Sequence, residues 1–205
     1  MNTVRVFHEP AWDVSLLFPA QGSWSEEDYL NLPGTRLTEF DQGRIEVLDM
    51  PSELHQLIVA FLYRTLSDFV HQHGLGIVLF APLPVRLWEG KMREPDILFM
   101  HREHADRRYE NYWSGADLVM EVMSPNNPIR DKVTKRQEYA RAEIPEYWLV
   151  DPIEQTVTVF ALTDQTDEYA MHGIFGMGGR AESASLKGFS VDINELFANT
   201  AMSTS

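Results

Sequence analysis

The sequence contains no cysteine. That excludes a disulfide framework, a thiolate zinc site and a cysteine nucleophile, and it fits a reducing compartment. Basic residues are scarce: 17 Lys and Arg stand against 31 Asp and Glu, a formal charge of −14. Such a chain is repelled as a whole by nucleic acid, anionic lipid and polyphosphate, so a phosphate-bearing substrate must be met by a local patch. No apolar run approaches the roughly 18 residues of a membrane span, and the opening MNTVRVFHEPAWDVSLLF lacks a basic stretch followed by a clean apolar one. The chain is therefore expected to be soluble and cytoplasmic, with no membrane partner. Neither a repeat of fixed period nor a low-complexity tract is visible.

What is present is enough material for a core. Hydrophobic residues make up 44% and aromatics 11% of 205 residues, which suits one folded domain. Residues 1–23, with Pro10, Pro19 and Gly22, show no sustained period and read as an extended arm; residues 24–205 read as a single domain. SWSEEDYLNL begins with Ser and places three acids where a helix start favours them. TRLTEFDQGRIEVLD offers two short runs around Asp41-Gln42-Gly43, a hairpin signal.

The strongest periodic signal follows. Leu54, Leu57, Ile58, Phe61, Leu62, Leu66 and Phe69 fall on one helical face, with Ser52 as cap and Gly74 as stop. From Gly76 the composition predicts two or three strands with a turn at Glu89-Gly90. A polar segment, 101–115, leads into a strand, ADLVMEVMSP, that Pro125 ends. Residues 129–142 have the helix formers and charge density of an exposed helix, and IPEYWLVDP returns to strand. TVTVFAL, EYAMHG and SASLKGFSV then read as further strand-like runs before a brief DINELFA helix. The expectation is an α/β fold, a mixed sheet with helices on both faces.

Polar residues in apolar places point to chemistry. Glu121 shares a strand face with Val119 and Met123 in a run apolar on both sides. A carboxylate there must take a proton, find a cationic partner such as Arg130, Arg136 or Arg141, or bind a metal ion. Asp96 stands between Pro95 and the apolar run Ile97–Met100, either as a turn residue accepting backbone N–H bonds or as a second ligand. Asp131, Lys135 and Tyr139 are spaced four apart, either as a solvated ion-pair face or as the face that packs over the two acids.

The order Glu-Pro-Asp (94–96), Glu-Val-Met-Ser-Pro (121–125), Arg-Asp-Lys-Val-Thr-Lys-Arg-Gln-Glu-Tyr-Ala (130–140) and Ile-Pro-Glu-Tyr-Trp-Leu-Val-Asp-Pro (144–152) resembles the Uma-type restriction endonuclease family of the PD-(D/E)XK nuclease superfamily. Gly43–Val47, Glu53–Gln56 and Gly188-Phe189 extend the likeness over roughly residues 35–195. The resemblance implies a restriction-endonuclease-like core, here with extra C-terminal β-hairpins, that hydrolyses DNA phosphodiester bonds with magnesium or manganese. Carried over, Asp96 and Glu121 are catalytic metal ligands. Met123 stands where the superfamily lysine is usual, so Lys135 becomes the migrated lysine, with Lys132 the competing choice. Glu46 matches a family acid that would complete the metal shell, and His55, Asp131, Lys132, Arg136 and Tyr139 are candidate supporting or substrate-binding residues. Eight basic residues, Arg102, Arg107, Arg108, Arg130, Lys132, Lys135, Arg136 and Arg141, flank the site and would form its phosphate-facing patch. DNA is the expected partner, a homodimer the expected assembly, since two strands call for two sites. The alternatives are a silent binding module on the same scaffold and a nuclease acting on RNA or another phosphodiester.

Overall fold

A computed structural model of the chain describes residues 18–32, 37–124, 130–163 and 167–198. Most of the expected N-terminal arm, and Pro125 as the expected strand end, lie outside the described residues. The last residues of the arm pack on the first hairpin, where Gln21 exchanges two hydrogen bonds with the Ile45 backbone.

Local signals place the first elements where the sequence predicts them. Ser25 and Asp28 form a capping box at the start of α1 (Glu26–Leu30). The hairpin β1 (Thr38–Asp41) and β2 (Arg44–Val47) turns through Gln42 and Gly43, both at positive φ, as the tightest hairpin turns require. α2 (Glu53–His73) begins where the Ser52 hydroxyl accepts from His55 N–H, and ends at Gly74 in the left-handed region. Its stripe Ile58, Leu62 and Leu66 is fully buried, each side chain contributing roughly 1.5–3 kcal/mol by transfer from water.

The stretch after Gly76 forms four strands, not two or three: β3 (Gly76–Phe80), β4 (Val85–Trp88), β5 (Lys91–Arg93) and β6 (Ile97–His101). Pro82, Pro84, Gly90 and Pro95 cut it into shorter pieces than composition alone suggests. A 3₁₀ turn (Arg102–Arg107), β7 (Trp113–Ser114) and β8 (Leu118–Val122) follow. Residues Arg130–Lys135 wind as a π-helical turn that runs into α3 (Arg136–Arg141). The chain closes with β9 (Glu146–Asp151), β10 (Thr156–Leu162), β11 (Tyr169–Phe175), β12 (Arg180–Glu182), β13 (Ser190–Asp192) and α4 (Ile193–Ala198). Only the end of SASLKGFSV is strand.

The strands divide between a six-stranded sheet, β11-β10-β9-β8-β6-β3, a five-stranded sheet, β2-β1-β5-β4-β7, and the ribbon β12-β13. The larger sheet is mixed, with β8 parallel to β9 and antiparallel to β6. Alternation along β8 sends Leu118, Met120 and Val122 into the core shared with α2 and α4. It sends Val119, and Met123 just beyond the strand, into the opposite core with Tyr139 of α3 and Tyr147 of β9. Helices thus cover both faces, the α/β arrangement expected. The C-terminal segment is pinned by buried Glu146, which accepts from Trp148, Ser183 and Ser185.

The helix expected over 129–142 is not the exposed one its composition suggests. Asp131, Lys135, Tyr139 and Ala140 are buried. The wider π turn brings residues four apart nearly into line, so one row of side chains drops into the space between the two larger sheets.

Candidate active site

β6 and β8 bring the first two residues together. Their register sets Ile97 opposite Met120, so Asp96, one residue earlier, comes level with Glu121 on the same face. Asp96 Oδ2 accepts a 2.7 Å hydrogen bond from Val122 N–H, reaching across to the neighbouring strand and not back into its own turn. The same oxygen lies 3.2 Å from Nε2 of His55 in the first turn of α2. Burial would lower the His55 pKa, but the hydrogen bond and charge of Asp96, with Glu121 behind it, raise it above the ordinary value.

Glu121 is buried, and its cationic partner is a lysine, not one of the three arginines considered for it. Lys135 Nζ stands 2.9 Å from Oε2, and the Tyr139 hydroxyl donates to Oε1 at 2.5 Å. The same ammonium lies 3.5 Å from Asp131 and 3.6 Å from Glu39. Burial lifts the Glu121 carboxyl; Lys135 opposes this, while Asp96, Asp131 and Glu39 add to it, and the net is about 8. Asp131 is raised for the same first reason, its burial. Burial would lower the Lys135 pKa, yet Glu121, Glu39, Asp131 and Asp96 together raise it well above the usual lysine value. Lys135 therefore stays cationic. Lys135 pairs with Glu121, Asp131 and Glu39, while Asp96 pairs with His55, so the acids around the pocket outnumber its one lysine.

A ring of ion pairs encloses the pocket on the five-stranded sheet. Glu39 and Glu46 stand directly opposite each other on β1 and β2. Two like charges in that relation repel, and Arg93 and Arg130 each bridge both carboxylates. Arg93 also forms a two-pronged pair with Glu138 of α3, at 2.7 and 3.0 Å, and Lys91 joins Glu138 to Asp41. Burial first raises the Glu39 carboxyl, but Lys135, Arg93 and Arg130 outweigh it and hold it at about 2.

The other predicted residues separate clearly. Asp96, Glu121, Lys135, His55, Asp131 and Tyr139 converge. Glu46, expected in a metal shell, turns to Arg93 and Arg130 at 3.0 and 2.7 Å, because it must be neutralised beside Glu39. Lys132 points away to Asp151 and is half exposed. Arg136 lies over the Phe160 ring, and Arg141 over Trp88. The patch of eight basic residues is thus largely dispersed: Lys135 and Arg130 turn inward, and three more pair or stack elsewhere. Glu39 and Arg93 were not anticipated. The signal for them lay in two glutamates facing each other across a two-residue hairpin, a pairing that demands a cation between them.

A family model, Uma2, "putative restriction endonuclease", matches residues 26–194. The chain belongs to the Uma2 family. It is also similar to a crystal structure of a "putative nuclease" from Anabaena variabilis, with a TM-score of 0.69 over 85% of this chain and 97% of that one. At 20% identity this likeness concerns the fold. No curated protein matches the chain significantly. The Uma2 match takes in every site residue described above, from Glu39 to Tyr139. Among the described residues, no helix is long and apolar enough to cross a membrane.

Proposed function

We propose that this Uma2 chain is a divalent-metal-dependent nuclease that hydrolyses DNA phosphodiester bonds, with Asp96 and Glu121 as metal ligands and Lys135 as the catalytic cation. The observation that supports this most is the Lys135 ammonium 2.9 Å from Glu121, delivered from the π turn, where Met123 leaves the usual lysine position without a charge. An inactive scaffold has no need to hold a lysine among three buried acids.

The donor set suits a hard cation. Asp96 and Glu121 offer carboxylate oxygens from adjacent strands, and the pocket carries more acid than Lys135 offsets. Asp96 Oδ1 makes no hydrogen bond among the described residues, while both Glu121 oxygens retain a lone pair beside their donors. Among the described residues no three His, Asp or Glu side chains converge as a closed cage. Magnesium and manganese fit such a site, since they are held by one or two carboxylates together with water and substrate phosphate. A bound ion there supplies Lewis acidity toward the phosphoryl oxygen and a more acidic water.

The chain's own groups then have distinct tasks. Lys135, kept cationic, offsets the charge that develops on the phosphoryl oxygens and orients water; already protonated, it does not serve as the base. Tyr139 fixes the Glu121 carboxylate from the other side. His55 and the Val122 N–H together fix Asp96 Oδ2, leaving Oδ1 for the ion. A homodimer, with two such sites for two strands, belongs to the same proposal. Incubation of the purified chain with magnesium or manganese and varied DNA substrates tests it. Cleavage that needs the metal and disappears in Glu121→Ala is the expected result. Absence of cleavage on every substrate, or undiminished cleavage by the variant, overturns it.

A further inference from the structure

Lys135 has three acidic neighbours, and they differ in how firmly they can hold it. Glu121, at 2.9 Å, is one of the proposed metal ligands, so its charge is shared once an ion is bound. Asp131, at 3.5 Å, sits four residues earlier on the same helical turn and also accepts from the Ser124 backbone just after the end of β8. Glu39, at 3.6 Å, comes from β1 of the other sheet and is fully buried. Its Oε2 is fixed by Arg93 and Arg130. Its Oε1 faces Lys135 and also accepts from Glu94 N–H at 3.3 Å, two residues before Asp96. Glu39 is thus held from the five-stranded sheet, by Arg93 of β5 and the Glu94 N–H, as well as by Arg130 of the π turn, and it is not one of the proposed metal ligands.

That placement has a purpose. A divalent ion on Glu121 repels the adjacent ammonium, and a lysine held only by Glu121 and Asp131 would be driven off as the ion entered. A fixed anion behind the ammonium counters that push. The guanidiniums of Arg93 and Arg130 prevent Glu39 from turning toward the ion itself.

We propose that Glu39 is the positioning residue of Lys135, an anchor outside the reacting groups that keeps the ammonium beside Glu121 when metal is bound. The inference rests on the nuclease reading above. Arg93 and Arg130 are the struts of this anchor, and the Glu94 N–H sets it at a fixed height relative to Asp96.

A double-mutant cycle on the full chain tests it, with manganese-dependent DNA cleavage measured for wild type, Glu39→Gln, Lys135→Ala and the double variant. Glu39→Gln is expected to lower kcat about 10- to 100-fold with KM within about twofold, and to change kcat less than about twofold when Lys135 is already alanine. Losses that multiply in the double variant mark Glu39 as a general structural residue and overturn the proposal. Should Glu39→Gln not fold, Glu39→Asp, which keeps the charge but withdraws it, takes its place in the cycle with the same expectations. Should the wild-type chain cleave nothing, the nuclease reading fails by itself, and the anchor is then judged by nitrogen-15 NMR of the lysine ammonium groups. A slowly exchanging Nζ signal absent from Lys135→Ala is expected, with exchange at least tenfold faster in the Glu39 variant; unchanged exchange overturns the proposal.

Discussion

Replacing Glu39 by glutamine should destabilise the fold at neutral pH and not at low pH. The side chain keeps its size, but a charge that Lys135, Arg93 and Arg130 share is removed. The Glu39 carboxyl titrates at about 2 in the folded chain against an ordinary 4.5. At ~1.4 kcal/mol per tenfold, that difference corresponds to about 3 kcal/mol of stability. A depressed acid stabilises the fold above its unfolded pKa, and the contribution disappears as pH falls through the folded value. The gap between wild type and Glu39→Gln is therefore expected to be about 3 kcal/mol at pH 6–7 and to close between pH 4.5 and 2. Other acids titrate in the same range, and taking the difference between the two proteins removes what they have in common. Urea unfolding followed by tryptophan fluorescence, with buried Trp148 as a reporter, measures the gap at each pH. A gap that persists undiminished at pH 2.5, or that is absent at pH 7, would refute the assignment of Glu39 as the acid the cations hold.

Lys135→Met is expected to abolish cleavage, whereas Lys132→Met, which removes a half-exposed pair at 3.4 Å, should leave cleavage within about twofold and stability within ~0.5 kcal/mol; equal losses in both would show that the site uses the other lysine. Manganese at 100 times its Kd should stabilise the wild type by about 2.7 kcal/mol, read as a rise in Tm, and Asp96→Asn should erase most of that rise. Tyr139→Phe deletes the 2.5 Å bond to Glu121 Oε1 and should cost about 1–2 kcal/mol of stability, measured by urea unfolding. DNA affinity should depend weakly on salt. Arg102, Arg107 and Arg108 are the members of the flanking cluster not engaged by another side chain among the described residues, so a slope of log K against log[salt] near −3 is expected for a single chain; a slope of −6 or steeper would contradict the dispersal of the basic patch.

The sequence was most informative where a local rule acts alone. Ser52 and Gly74 bound α2 because capping and the left-handed turn are decided within a few residues. Glu121 stood out because a strand buried on both faces tolerates few charges. The character of 130–141 was less legible. Its Lys and Arg content reads as solvent-exposed, yet the counter-charges Glu39 and Glu46 lie 91 and 84 residues before Arg130, on a hairpin whose pairing with β5 nothing local specifies. The division into two sheets was hidden for the same reason. Prolines mark where strands break, but not which partner each piece finds. Glu46 shows the cost of reading a residue without its neighbour: as a lone acid it resembles a ligand, and opposite Glu39 it becomes half of an arginine clamp.

The net charge of −14 first looked like an obstacle to any phosphate chemistry. The structure relocates the question. The basic residues closest to the acids do not face outward to receive a polyanion; they lock β1, β2, β5 and α3 around a pocket that is itself left negative. Such a pocket draws in a phosphodiester poorly by its own side chains. On the proposed reading, the substrate phosphate and the divalent ion therefore depend on each other. The ion supplies the positive charge that the acidic surface withholds, and the phosphate supplies oxygen ligands that two carboxylates leave unfilled. Affinity for nucleic acid should then be gained mainly on addition of metal, and the Glu39 anchor makes this compatible with a lysine in the same pocket by holding that second cation where the first one cannot expel it.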